Sequence, residues 1–100
     1  MRFNQENFER EVLQSSEPVL VDFRASWCGP CRMLDPVIEE LSHEANGYKV
    51  GSVDVDESPE LATRYGIMSV PTVAIFRNGG IAASTVGVQT KDTLLHMLEN

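Results

Sequence analysis

Cys28 and Cys31 are the only two cysteines in the chain, and only Gly29 and Pro30 separate them. They stand between a strand-like run, Val19 to Phe23, and a helix-like one that begins at the cysteines themselves. A sulfur at a helix start meets unpaired backbone N–H groups and the positive end of the helix dipole. Both stabilise its thiolate, the nucleophile of disulfide exchange. A second thiol two residues on can attack the mixed disulfide that the first one forms. Residue type, order and position therefore point to thiol–disulfide exchange. The competing use of such a pair is a structural zinc half-site. Zinc normally takes four ligands, and the two histidines, His43 and His96, fall in different expected helices.

The elements that must hold this pair are legible around it. Asn4 reads as a helix N-cap, with Phe3 and Phe8 at the two positions of a hydrophobic staple. Phe8 and Val12 share a buried face, and Glu17-Pro18 ends the segment. Val19-Leu20-Val21-Asp22-Phe23 is nearly continuous in apolar residues, which marks a strand covered on both faces. Leu34, Val37, Ile38, Leu41 and Ala45 recur at helical spacing until Asn46-Gly47 stops them. Pro36 lies inside this helix and should kink it. Tyr48 to Val53 reads as a strand, Ser58-Pro59 as a cap with proline at the first helical position, and Gly66 as the end of that helix. Thr72 to Phe76 is a further buried strand, and Asn78-Gly79-Gly80 turns it into a hairpin with Ile81 to Val86. A last helix follows Thr90, with Leu94, Leu95 and Leu98 inward. A minimal strand at Arg2-Phe3 completes the order. Such alternation predicts one α/β domain over residues 1–100, a central sheet with helices on both faces.

Composition narrows the function. Eight Lys and Arg against 15 Asp and Glu give a formal net charge of −7, which argues against nucleic acid or an anionic membrane as partner. Apolar content of 42% suits a chain able to bury a core without staples. No apolar leader follows Met1, and no run approaches the length of a membrane span. The expectation is a soluble protein of a reducing compartment, the cytoplasm.

Beyond these local signals the chain resembles the thioredoxin family from about Phe3 to Leu98. The resemblance rests on Val21-Asp22-Phe23, Ala25, Trp27-Cys28-Gly29-Pro30-Cys31, Pro36, Val53-Asp54-Val55-Asp56, Tyr65-Gly66-Ile67, Val70-Pro71-Thr72, Phe76-Arg77-Asn78-Gly79 and Val86-Gly87. Cys-x-x-Cys alone is weak, but Trp-Cys-Gly-Pro-Cys followed by Val-Pro-Thr is specific. It implies a thioredoxin fold: a mixed four- to five-stranded sheet flanked by four helices, with a cis peptide before Pro71 beside the cysteines. It also implies a lowered thiol pKa and a reducing dithiol. Three departures stand out. Arg24 replaces an aromatic residue usual before the alanine, Ser52 stands where a lysine is common near the buried aspartate, and the N-terminal strand is cut short. The first two alter the charge around the site; the third exposes a sheet edge.

Cys28 is expected to attack and Cys31 to resolve. Asp22 lies in what should be the most buried strand, so desolvation should raise its pKa. Its functional reading is a proton acceptor for Cys31, directly or through a water; the alternative is a strand-edge carboxylate with a solvent path or a backbone partner. With Ser52 in place of lysine, a cationic partner for Asp22 is expected to be missing. Pro71 is either a strand-initiating proline or a cis residue that turns the Val70 backbone toward an extended substrate. Trp27, Gly29, Pro30, Val70, Pro71 and Gly87 would then form a small apolar docking surface, the glycines allowing close approach. Core packing is the other reading of Trp27. Arg32 either favours the Cys28 thiolate or is simply solvated. Glu39, Glu40 and Glu44 read as a solvated face, His43 and His96 as surface residues, and Met33 and Met68 as filler or rim.

The activity expected is reduction of protein disulfides by a monomer with no bound cofactor, its redox group being the Cys28–Cys31 disulfide itself. Resemblance implies re-reduction by a flavin-dependent, NADPH-using thioredoxin reductase. Two rivals differ in class: an oxidase or isomerase of an oxidising compartment, and a non-catalytic binding module that uses the Pro71 groove.

Overall fold

A computed structural model describes residues 1–99. Its elements are β1 (Arg2–Phe3), a π-helix (Glu9–Leu13), β2 (Val19–Arg24), α1 (Gly29–Glu44), β3 (Lys49–Asp54), α2 (Pro59–Arg64), β4 (Thr72–Arg77), β5 (Gly80–Val86) and α3 (Lys91–Glu99). The five strands form one mixed sheet in the order β1-β3-β2-β4-β5. β3 runs parallel to both β1 and β2, whereas β4 is antiparallel to β2 and to β5. The apolar β2 and β4 thus sit at the centre, as strands covered on both faces must.

Alternation along β2 splits the core in two. Val19, Val21 and Phe23 face Phe3, Phe8, Val12, Leu61 and Phe76 on the side of the π-helix and α2. Leu20 faces Leu34, Ile38, Leu41, Ile75 and Leu94 on the side of α1 and α3. Each such fully buried side chain contributes about 1.5–3 kcal/mol relative to exposure. Phe8 is a hub, meeting Phe3 and Phe76 edge-on at 6.3 and 5.5 Å between centroids.

Three local readings are refined by the structure. Asn4 and Asn7 exchange reciprocal side chain–backbone bonds of 2.8 and 3.0 Å, so the N-terminal cap forms. The helix it opens then widens: the Gln14 N–H donates to the Glu9 carbonyl, making Glu9–Leu13 a π-helix rather than an α-helix. Ser58 does precede Pro59, but its hydroxyl caps nothing. The turn is held instead by Asp54, whose Oδ1 accepts from the backbone N–H groups of Asp56 and Glu57. The hairpin turn has Asn78 and Gly79 at φ +53° and +83°, as a two-residue turn of the primed type requires.

The shortened N-terminal strand closes tightly over β3. Ser52 N–H donates to the Met1 carbonyl. A Cβ at Gly51 would stand 2.5 Å from a Phe3 ring carbon and 2.7 Å from the Met1 oxygen. Only glycine lets this edge form.

Candidate active site

β2 delivers the chain to the cysteines, and α1 begins on them. Cys28 is the N-cap of α1, in extended conformation, and Pro30 occupies the first turn, where its missing N–H costs nothing. The two cysteines form a disulfide with Cα atoms 5.2 Å apart. Cys31 N–H donates to Cys28 Sγ at 3.2 Å. The helix start therefore places a backbone donor on one sulfur only. Cys31 is fully buried and Cys28 nearly so, in a small cluster with Ala25, Val55 and Val70. α1 runs unbroken through Pro36, which faces solvent.

The second wall is the segment before β4. The Val70–Pro71 peptide is cis, and the Val70 carbonyl oxygen lies 3.6 Å from Cys28 Sγ. Gly87 N–H donates to the Pro71 carbonyl at 2.9 Å, which brings the end of β5 to the same spot. Gly87 sits at φ +94°, so its freedom serves backbone conformation, and the space beside it is open. Gly29 has open space too, and Pro30 is exposed.

Trp27 is not core: its side chain is 67% exposed. Its indole N–H donates to Asp56 Oδ2 at 2.8 Å, which fixes the ring over a groove of about 330 Å³. Val55, Pro59, Ile67, Met68 and Val70 also line that groove, and Met68 is 93% exposed. Arg32 donates to the Ser26 carbonyl at 2.9 Å, bracing the loop ahead of the cysteines.

Asp22 lies in β2, three residues before Ala25 of the cysteine cluster. It shares with Leu20 the face of β2 that α1 covers, while Cys31, Leu34 and Ile38 share the buried stripe of α1. Asp22 is fully buried, and neither carboxylate oxygen has a hydrogen-bond partner. Burial pushes its pKa up to about 7; the Asp35 anion adds to the rise and the Arg24 cation opposes it. Asp22 forms part of the inner wall of a polar cleft of about 480 Å³ between α1 and the β1–β3 edge.

Asp22 has no cation bonded to it; the positive charge that acts on it does so at a distance, from Arg24. Ser52 is indeed its neighbour in register on β3, but Arg24 supplies positive charge from β2 itself. Arg24 is tied in a bidentate pair to Asp35, with Nε–Oδ1 and Nη2–Oδ2 both 3.1 Å. Asp35 and Asp56 are the residues that sequence reasoning passed over. Asp35 falls one helical turn after Cys31, a spacing that could have flagged it. Asp56 stood inside a quoted motif without a role. Among the described residues, no group of His, Cys, Asp and Glu could hold a metal ion. No described helix is long and apolar enough to cross a membrane.

A mixed sheet with helices on both faces, and a disulfide at the start of the helix after its central strand, define a thiol–disulfide oxidoreductase of the Cys-x-x-Cys type. Comparison with known proteins makes the class specific. The thioredoxin family model matches residues 1–100. A thioredoxin of Rickettsia bellii (strain RML369-C) is 48% identical over 95 residues, 94% of this chain and 90% of its own length. Thioredoxin 1 of Nostoc sp. (strain PCC 7120 / SAG 25.82 / UTEX 2576) is 50% identical over 93 residues, covering 92% and 87%. A thioredoxin of Griffithsia pacifica is 49% identical over 94 residues, covering 93% and 86%. The chain belongs to the thioredoxin family. It is a protein-disulfide reductase whose redox group is its own cysteine pair.

Proposed function

We propose that the chain reduces target disulfides in two ordered exchanges. The Cys28 thiolate attacks a target sulfur and forms a mixed disulfide. Cys31 then loses its proton to Asp22 and attacks Cys28 Sγ, and the reduced target leaves as a thiolate. The observation that carries this order is the Cys31 N–H aimed at Cys28 Sγ at 3.2 Å: it favours negative charge on Cys28 and none on Cys31. A carboxyl with pKa about 7 is suited to take a proton near neutrality and to give it back.

The docking surface consists of Trp27, Gly29, Pro30, Val70, Pro71 and Gly87. An extended target segment pairs with the Val70 backbone, in the manner of an added strand, and rests against the Trp27 ring. The chain works as a monomer of one domain, residues 1–100, in a reducing compartment such as the cytoplasm. There it carries electrons to disulfide-containing proteins. A flavin-dependent, NADPH-using thioredoxin reductase restores the dithiol.

Insulin-disulfide reduction coupled to NADPH through a thioredoxin reductase tests this reading. The wild type should consume NADPH with insulin present, and Cys28→Ser should not. A Cys28→Ser/Cys31→Ser variant with full activity in the cell would instead support a binding module. A strongly oxidising potential measured against glutathione would support an oxidase or isomerase.

A further inference from the structure

We propose that Arg24 and Asp35 act together as a positioning pair for proton transfer at Asp22. For its kinetic consequence this rests on Asp22 being the proton acceptor proposed above. The geometry has three parts. Strand alternation sets Asp22 and Arg24 on the same face of β2, beneath α1. The Arg24 guanidinium, whose side chain is only 15% exposed, spends its fork on Asp35 in two bonds of 3.1 Å. All three residues line one polar cleft, and the Asp22 oxygens have no partner.

Closed, the pair keeps the arginine donors away from Asp22 and holds an anion and a cation beside it. Burial raises the Asp22 pKa, and the two fields oppose each other on top of it, so Asp22 keeps a readily reversible proton. Opened, Arg24 would be free to turn to Asp22, two residues away on the same face, and lock it as a carboxylate. Other groups along the cleft and on the strands beside Asp22 are few. α1 contributes Glu39 and His43, 3.3 Å apart and exposed. β1 contributes Arg2, held by Glu57, and Met1 just before it also lines the cleft. β3 offers the uncharged Ser52 and β4 the apolar Val73. In the resolving step the proton passes from Cys31 Sγ to an Asp22 oxygen. The freed sulfur pair bonds Cys28 Sγ, and the bond to the target sulfur breaks.

The test is a carbon-NMR titration of the Asp22 carboxyl in the reduced protein. Asp35→Asn should lower the midpoint by about one pH unit, and Arg24→Gln should raise it by a similar amount. The double variant should fall between them, and Arg24→Lys should return toward wild type. The pH profile of mixed-disulfide resolution should move with the midpoint, which a merely structural pair would not cause. Midpoints unmoved in both single variants, or moved in the same direction, would overturn the proposal. Asp35→Ala serves as a second probe should Asp35→Asn not fold, and it should also lower the midpoint. Asp22→Asn separates the two readings. If it leaves the resolution rate and its pH profile unchanged, Asp22 is not the acceptor, and the kinetic role proposed for the pair is overturned with it. Failure of the pairing alone leaves the Asp22→Asn defect intact while the midpoints stay fixed.

Discussion

The Val70 carbonyl oxygen stands 3.6 Å from Cys28 Sγ, although forty-two positions separate the two residues. The contact joins the helix start that activates the sulfur to the bend that precedes β4. On the proposed docking mode, a target strand paired with the Val70 backbone would lie across Cys28, the less buried of the two cysteines. In the reduced protein, an alkylating reagent at neutral pH should modify Cys28 before Cys31, read by peptide mass analysis. Preferential labelling of Cys31 would contradict the site as described.

Asp22 makes stability depend on pH. Its folded pKa of about 7 lies above the ordinary value of 3.8. The folded state therefore holds its proton more tightly than the unfolded chain does. The associated stability is complete below about pH 4 and is lost as pH rises to about 7, on the order of 4 kcal/mol in total. Asp22→Asn should flatten that slope and be more stable than wild type at pH 8, by roughly 2–4 kcal/mol in urea unfolding. Parallel pH profiles for the two proteins would refute the buried, raised carboxyl.

Trp27 is held by one bond, from its indole N–H to Asp56. Asp56→Ala should free the ring, seen as lower fluorescence anisotropy. It should also raise KM for a protein disulfide several-fold while leaving the rate with a small disulfide unchanged. Stability should shift by no more than about 1 kcal/mol, because the bond is exposed. An unchanged KM would remove Trp27 from the docking surface.

Gly51 admits the short N-terminal strand. Gly51→Ala should destabilise the fold by about 1–3 kcal/mol, since the new methyl would overlap the Phe3 ring and the Met1 carbonyl. Neutral behaviour in thermal unfolding would mean that β1 is not packed as described.

Much of this architecture is legible because its signals are local. Asn78-Gly79 dictates its turn through backbone sterics, and Val19 to Phe23 announces a central strand by composition. The cysteines declare their chemistry by position at a helix start. What could not be read depends on rotations between elements. Asp35 meets Arg24 only because α1 packs over β2 with that face down, and neither residue's neighbours encode it. Gly87 reaches Pro71 through the β4–β5 register, which a bulge between Ile75 and Phe76 resets. The π-helix differs from an α-helix by one position of hydrogen-bond register, a difference without a residue signature over Glu9–Leu13.

The central claim, that Cys28 attacks and Cys31 resolves, is tested most directly by trapping. Each single Cys→Ser variant is reacted with an oxidised target protein, and covalent complexes are counted on a non-reducing gel. Cys31→Ser should accumulate a mixed disulfide through Cys28 that dithiothreitol releases, and Cys28→Ser should accumulate none. A complex formed by Cys28→Ser and not by Cys31→Ser would reverse the assignment.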